Sequence, residues 1–156
     1  MKEYDNFDLT EYNGYRIKSI CKKAYFPENE QDLLYLIKSL PKFIVIGSGH
    51  NIILSKTYFE TPFLIISKCL NEISVNKNII ESGAGTFLHE LSEFALNNNL
   101  SGLEFCFDIP SSVGGAIVMN AGTKEGVISN ILQKVRFLDL DDLQIKEIES
   151  HELNLG

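Results

Sequence analysis

The most constraining feature of this sequence is an uncharged, small-residue stretch at residues 109–122. It contains three glycines, two alanines and two serines, with one proline, one asparagine and no acidic or basic side chain. A simple turn needs only one or two glycines among polar neighbours. Glycine also lets main-chain N–H groups approach an anion, and small neighbours leave room for a ring system. A tightly packed buried turn has a similar composition, so the stretch alone favours a ligand site only slightly.

A second glycine-containing segment, Gly47–Ile52, directly follows the apolar run Phe43–Ile46. A buried strand that ends in a glycine turn is where α/β sheets tend to place ligands. The segment departs from the dinucleotide motif GxGxxG because Ile52 occupies the third glycine position, and no GK[ST] sequence follows. It offers main-chain donors together with polar side chains. A glycine-containing β-turn without a ligand explains this segment equally well.

The first half of the chain alternates strand and helix patterns. Short strands are predicted within residues 15–26, and a helix follows from the cap Asn29 until Pro41 ends it. The apolar run after Pro41 and a run at 63–66 are predicted strands, which suggests a parallel sheet with a helical crossover. Residues 1–14 are polar with scattered aromatics, and they are predicted to form an N-terminal arm.

The second half repeats the alternation. A strand is predicted at 79–82, followed by a helix capped by Thr86 with an apolar face. Apolar and charged residues then alternate around a turn at Asp141, which predicts a hairpin across 135–149. Together the two halves predict an α+β fold made of α/β-type subdomains.

Composition excludes several classes of function. The 156 residues carry a formal net charge of −7, which argues against a nucleic-acid groove and an anionic membrane surface. No apolar run reaches the length of a bilayer span, and the polar N-terminus lacks the pattern of a secretory signal. Three cysteines without CxxC spacing indicate a reducing cytoplasm. The three histidines do not cluster, so no metal site is predicted.

Residues suited to acid–base or nucleophilic catalysis are scarce. No serine–histidine or cysteine–histidine pair is evident. Glu104 among apolar neighbours is predicted to be a partly buried structural acid, and Asp108 is predicted to form a turn. The two glycine-and-serine segments instead suit one long ligand that is anionic in the middle and aromatic at one end. Flavin adenine dinucleotide (FAD) is such a ligand, because N–H groups can hold its pyrophosphate while small residues contact its ring.

Four segments in this order resemble motifs of the UDP-N-acetylenolpyruvoylglucosamine reductase (MurB) family: residues 47–52, 83–85, 102–104 and 109–122. The family pattern is approximately G-x-G-S-N-L, G-A-G, G-L-E and G-I-P-G-[ST]-V-G-G-A-x-x-M-N-A-G. The likeness covers most of residues 15–156. It implies an FAD-binding fold of the PCMH or vanillyl-alcohol-oxidase type, with one FAD-binding subdomain at 15–67 and a second at 68–156.

The resemblance also implies an activity. NADPH would reduce the FAD, and UDP-N-acetylglucosamine enolpyruvate would be reduced to UDP-N-acetylmuramate for peptidoglycan synthesis, by a cytoplasmic monomer. The implied pyrophosphate-binding residues lie in 47–52 and 111–115, and residues 120–122 would lie near the flavin. The implied cofactor-binding residues are Gly47, Ser48, Gly49, His50, Asn51, Ile52, Pro110, Ser111, Ser112, Gly114, Gly115, Asn120, Ala121 and Gly122.

Four residues depart from the family pattern, and one of them is Lys124, which stands where an aromatic residue is common. His50 stands in place of a serine, and Asp108 and Ser111 replace glycines, which matters if either position requires a positive φ. The end at Gly156 is interpreted as a cut before the family's third, substrate-binding domain, so no catalytic residue is assigned within this chain. The alternatives are a flavin domain of another PCMH-type oxidoreductase and a truncated, non-catalytic homologue.

Overall fold

The computed structural model describes residues 1–67, 69–153 and 155. The strands and helices, in chain order, are β1 (Lys2–Asp8), β2 (Ile20–Phe26), α1 (Glu30–Ser39), β3 (Ile44–Ile46), β4 (Tyr58–Phe59), β5 (Phe63–Ile65), β6 (Ile73–Asn76), β7 (Ile79–Ser82), α2 (Leu88–Asn97), α3 (Val113–Val118), α4 (Ile128–Ile131), β8 (Lys134–Leu138) and β9 (Ile145–Glu149). Short 3-10 turns lie at Thr10–Tyr12, Glu104–Cys106 and Ser150–Glu152. This mixture of helices and strands confirms the predicted α+β class.

The first sheet has the strand order β1-β2-β5-β3, with β4 also pairing β2. Strands β2, β5 and β3 are parallel, so α1 is the crossover between β2 and β3, and β5 inserts between them. Asn29 caps α1 as predicted, because its Oδ1 accepts the Asp32 N–H at 2.9 Å. Leu36 of α1 packs with Tyr25 and Leu64 of the sheet. The predicted parallel sheet with a helical crossover is confirmed.

The N-terminal residues are part of this sheet and do not form the predicted arm. Strand β1 pairs antiparallel with β2 from Lys2 opposite Phe26 to Asp8 opposite Ile20. The Phe7 ring lies 5.5 Å from the Phe26 ring, and Leu9 is fully buried. The polar residues suggested a solvated tail, but an edge strand also exposes one face to water. The scattered aromatics are the residues that pack on β2.

The second half contains two separate hairpins and three helices. Strands β6 and β7 pair antiparallel, and so do β8 and β9, which confirms the predicted 79–82 strand and the C-terminal hairpin. Helix α2 begins one residue later than predicted, since Phe87 occupies the cap position and its N–H donates to Glu90. Thr86 instead accepts the Val113 N–H through its carbonyl. This strand-like contact replaces the predicted side-chain cap.

Three hydrophobic clusters fill the interior. Two of them draw their residues from 7–65, and the third draws its residues from 73–132. None of the three combines residues from both sides of position 68, which supports the predicted subdomain boundary; the boundary stays a prediction. Within the described residues, no helix has the length and apolar character needed to cross a bilayer.

Candidate functional site

The first glycine segment begins where β3 ends. Ile46 is buried, its carbonyl accepts the Ile66 N–H, and Gly47 follows at once. Gly49 is buried and has a φ of +73°, a backbone conformation that side chains with a Cβ disfavour. A Cβ at Gly49 would also overlap the carbonyl of Tyr12. The segment therefore turns sharply at the carboxyl edge of the sheet, as the sequence predicted.

The structure brings the two predicted pyrophosphate segments into contact. The Ser48 hydroxyl lies 3.3 Å from the Pro110 carbonyl, to which it donates, and the same hydroxyl accepts the Ser112 N–H at 3.3 Å. Gly47 faces Ser112, and a Cβ at Gly47 would overlap the Ser112 Oγ. The close approach of two backbones explains why a glycine stands at position 47. We call this contact between residues 47–48 and 110–112 the loop junction.

The C-terminal side of the loop junction is held by main-chain bonds to the segment before α2. Val113 donates to the Thr86 carbonyl at 2.8 Å, and Gly114 donates to the Ala84 carbonyl at 2.9 Å. A Cβ at Gly114 would approach the Ala84 Cβ to 3.0 Å, so this contact also favours glycine. The carbonyls of Ala84 and Thr86, in and just after the GAG segment at 83–85, thus hold residues 113–114 next to the loop junction.

Helix α3 was not predicted, because two consecutive glycines have poor helix propensity and its small residues indicated a loop. It forms because Ala116 is fully buried against the cluster that contains Leu88 and Phe105. Tertiary packing here overrides the local preference of the sequence. The small residues therefore serve close packing along α3 as well as the junction with the first loop.

Several polar groups at or next to the loop junction make no hydrogen bond that the described residues show. Ser112 is 1% exposed, and its buried Oγ has no hydrogen-bond partner among the described residues. The N–H groups of residues 47–51 donate to no backbone carbonyl in the part of the chain that the structure describes. A buried hydroxyl normally has a partner, so the Ser112 Oγ is unusual, whereas His50 and Asn51 are exposed and water can bond their N–H groups. These donors therefore suit an anionic ligand, and residues 47–52 and 110–115 carry no carboxylate that would repel one.

Residues 120–122 occupy a different place. Asn120 has a φ of +43° just after α3, and its Oδ1 accepts the Ser129 N–H at 3.1 Å. Gly122 pairs with Val127 in an isolated bridge. The contacts of these residues are with α3 and the segment that leads into α4, and α3 separates them from Ser112 by about 9 Å of helical rise. The structure gives them a role in the α3–α4 turn, and their predicted position near a flavin stays a prediction.

The residues that depart from the family pattern fit the backbone without strain. Neither Asp108 nor Ser111 has a positive φ, so neither position requires a glycine in this structure. His50 and Asn51 are exposed on the first loop. Glu104 is exposed, not partly buried as predicted, and its carboxylate accepts the Gly102 N–H at 2.8 Å. Its role is local and structural.

The sequence patterns did not identify residues 13 and 14, which contact Gly49 of the first glycine segment. The Gly14 N–H donates to the Gly49 carbonyl at 3.0 Å. Asn13, which is 2% exposed, fixes the turn that presents Gly14. The Asn13-Gly14 dipeptide was the available signal, since this pair marks a turn.

The thiols and acids offer no other candidate site in the described residues. Burial raises the pKa of the Cys21 and Cys106 thiols to about 11, so both are protonated at neutral pH and act as core residues. Among the described residues, no group of three or more histidine, cysteine, aspartate or glutamate side chains is arranged to hold a metal ion. The loop junction is the best-supported candidate.

Comparison with known proteins places this geometry among flavin-binding domains. The family described as "FAD binding domain" matches residues 22–147. The UDP-N-acetylenolpyruvoylglucosamine reductase of Francisella tularensis subsp. tularensis is 39% identical over 157 residues, which cover 100% of this chain and 55% of that protein. The reductase of the same name from Clostridium perfringens is 31% identical, over 95% of this chain and 49% of that protein. The chain thus spans about half the length of these curated relatives.

Solved structures show the same fold. The crystal structure of UDP-N-acetylenolpyruvylglucosamine reductase (MurB) from Thermus caldophilus aligns with a TM-score of 0.79 and 25% identity, over 99% of this chain and 54% of that one. The 6-hydroxy-D-nicotine oxidase of Arthrobacter nicotinovorans aligns with a TM-score of 0.71 and 14% identity, over 97% of this chain and 36% of that one. The second likeness shows a shared fold alone.

Proposed function

This chain belongs to the FAD binding domain family, and from that premise we propose that it is the FAD-binding part of a UDP-N-acetylenolpyruvoylglucosamine reductase. The family match covers residues 22–147. The observation that carries the finer proposal is 39% identity to the Francisella reductase along the whole chain. The likeness to the MurB structure, at a TM-score of 0.79, supports it.

The loop junction is the proposed site for the diphosphate of FAD. The free N–H groups of residues 47–51 and the unpartnered Ser112 hydroxyl would donate to its oxygens. Within residues 110–115 the N–H groups of residues 111–114 are bonded inside the protein, so the Ser112 hydroxyl is the proposed donor on that side. Gly47 keeps the two segments close enough to act on one ligand, because a side chain there would overlap Ser112.

The whole reaction is proposed from the relatives' name. Bound FAD would supply hydride chemistry, with NADPH as the reductant and UDP-N-acetylglucosamine enolpyruvate as the substrate reduced to UDP-N-acetylmuramate in peptidoglycan synthesis. The contribution of this chain would be to bind and orient the cofactor. No residue of the chain is proposed as a proton donor, and a cytoplasmic monomer stays the expected state.

Another flavin oxidoreductase of the same fold is the second candidate. The likeness to 6-hydroxy-D-nicotine oxidase favours it only at the level of fold, since the identity is 14%. Identity of 31–39% to proteins of one name favours the reductase. A third candidate, a homologue that binds no cofactor, is opposed by the unpartnered donors at the loop junction.

Cofactor binding is tested by purifying the chain and titrating it with FAD. We expect a flavin absorption spectrum in the protein fraction and a rise in melting temperature with added FAD. At a free FAD concentration of one hundred times Kd, binding stabilises the folded chain by about 2.7 kcal/mol. A colourless protein whose melting temperature does not respond to FAD would contradict the proposal.

The substrate is tested in a longer polypeptide. This chain can be joined to the C-terminal part of the Francisella reductase that it does not cover, and NADPH oxidation can be followed with and without the enolpyruvyl sugar nucleotide. We expect oxidation that depends on this substrate. Binding of FAD without such dependence would favour another flavin oxidoreductase.

A further inference from the structure

The segment Leu9–Ile17 forms a compact turn around one buried amide side chain. The Asn13 Nδ2 donates to the carbonyls of Leu9 at 2.9 Å and Ile17 at 3.0 Å, with a longer contact to Thr10 at 3.3 Å. Its Oδ1 accepts the Ile17 N–H at 2.9 Å. Asn13 is 2% exposed, so these bonds are shielded from water. We call residues 9–17 the Asn13 turn.

The Asn13 turn lies directly against the first glycine loop. The Gly14 N–H donates to the Gly49 carbonyl at 3.0 Å. A Cβ at Gly14 would lie 3.0 Å from the His50 Cα, and a Cβ at Gly49 would overlap the Tyr12 carbonyl. Two backbones thus approach as closely as glycine allows. The contact accounts for both glycines, although they stand 35 positions apart in the sequence.

The bond from Gly14 sets the direction of the next donor in the loop. The chain has no cis peptide bond in its described part, so the Gly49–His50 peptide is trans. In a trans peptide the C=O and N–H groups point in opposite directions. Because the Gly49 carbonyl points at Gly14, the His50 N–H points away from the Asn13 turn. That N–H donates to no backbone carbonyl in the described part of the chain.

We propose that the Asn13 turn positions the diphosphate loop: Asn13 holds Gly14 in place, and Gly14 orients the Gly49–His50 peptide so that the His50 N–H is free for the ligand. This inference rests on the proposed function of the loop as a diphosphate site. Asn13 is a positioning residue, since it acts through Gly14 and Gly49. A loop held in its binding conformation binds more tightly because less freedom is lost on binding.

The test compares Asn13→Ala with Asn29→Ala. Both substitutions remove a side-chain amide, and Asn29 caps helix α1, whose buried Leu36 packs with Tyr25 and Leu64 of the sheet. Affinity for FAD is measured by flavin fluorescence at a temperature where far-UV circular dichroism shows both variants folded. We expect Asn13→Ala to raise the Kd for FAD at least about tenfold and Asn29→Ala to change it less than about twofold.

A second variant covers the case in which Asn13→Ala does not fold. Gly14→Ala leaves the bonds of Asn13 in place, but its Cβ would press on the His50 Cα. We expect it to weaken FAD binding by a similar factor. Asn13→Ala or Gly14→Ala binding FAD with wild-type affinity would overturn the inference, and so would an equal loss in Asn29→Ala.

A readout without FAD separates this inference from the proposed function. Amide hydrogen exchange of Gly14 and the backbone chemical shifts of residues 47–51 are measured in the ligand-free chain. We expect Asn13→Ala to accelerate exchange at Gly14 and to shift residues 47–51, and Asn29→Ala to leave both unchanged. If the wild-type chain fails to bind FAD, the proposed function fails while these shifts still decide whether Asn13 orders the loop; unchanged shifts in Asn13→Ala would overturn the inference.

Discussion

Ser112 places a buried hydroxyl group beside Gly47, and no other described residue bonds that hydroxyl. An unsatisfied buried hydroxyl costs free energy in the ligand-free protein. The same group is worth a strong hydrogen bond when it faces a charged oxygen. At the scale of single residues, we therefore expect Ser112 to lower the stability of the ligand-free chain and to raise its affinity for an anion.

Replacing Ser112 by alanine tests this exchange. We expect Ser112→Ala to raise the free energy of unfolding of the ligand-free chain by up to about 1 kcal/mol and to weaken FAD binding by about tenfold or more. Urea unfolding gives the first quantity and a fluorescence titration the second. A variant that is less stable and binds FAD unchanged would show that the hydroxyl has a structural partner.

The space opposite Ser112 gives a second prediction. Gly47→Ala should weaken FAD binding by about tenfold or more, because its Cβ overlaps the Ser112 Oγ and forces the two segments apart. The next atom, the Ser112 Cβ, lies at 3.5 Å, which is an ordinary contact. The same overlap should lower the melting temperature of Gly47→Ala. The double variant Gly47→Ala/Ser112→Ala lacks the overlapping Oγ, so its melting temperature should return toward that of the wild type. No recovery would mean that position 47 needs glycine for another reason.

At the scale of elements, the β8–β9 hairpin carries two lysine ion pairs: Lys134 pairs with Glu147, and Lys146 lies between two aspartates. The Lys146 Nζ lies 2.6 Å from the Asp139 Oδ2 and 2.7 Å from the Asp142 Oδ2. Hydrogen bonds from Lys146 lower the pKa of Asp139 and of Asp142 below the ordinary value of 3.8. A carboxyl group with a lowered pKa in the folded state stabilises that state above its ordinary pKa, and the stabilisation is lost as the pH falls through the lowered value.

The hairpin should consequently respond to acid through Lys146. We expect the melting temperature of Lys146→Met to lie below that of the wild type at pH 6, and the difference to shrink as the pH falls from about 4 to 2. Asp142 is exposed and Asp139 and Lys146 are partly exposed, so the effect at pH 6 should be small and should weaken with salt. A difference that grows on acidification would contradict this assignment.

The helices and strands differ in how well the sequence predicted them. Helix α1 was predicted correctly because Asn29, the acidic first turn and the apolar spacing agree with one another. Strand β1 was missed because its two aromatic residues, Tyr4 and Phe7, are sparse among polar residues, and α3 was missed because Gly114 and Gly115 oppose a helix locally. Both elements depend on contacts with β2 or with the cluster around Leu88, which no local pattern contains.

At the scale of the whole molecule, the site joins segments that are far apart in the chain. The sequence predicted both glycine segments, since each combines small residues with a strand end or a dense glycine run. It did not predict that the Gly14 N–H would donate to the Gly49 carbonyl, because that contact exists only once β1 has paired with β2. The contact that supports the candidate site was therefore found only in the fold, whereas the residues proposed to bind the ligand were already predicted from the sequence.

The central claim is that residues 47–51 and 110–115 bind one diphosphate together. The most direct measurement is a two-dimensional amide NMR titration of the chain with FAD, in which both segments are followed at once. We predict that the amides of the two segments shift along one binding curve with a single Kd, and that Ser112→Ala weakens both responses equally. Shifts confined to one segment, or two separate curves, would contradict a shared site.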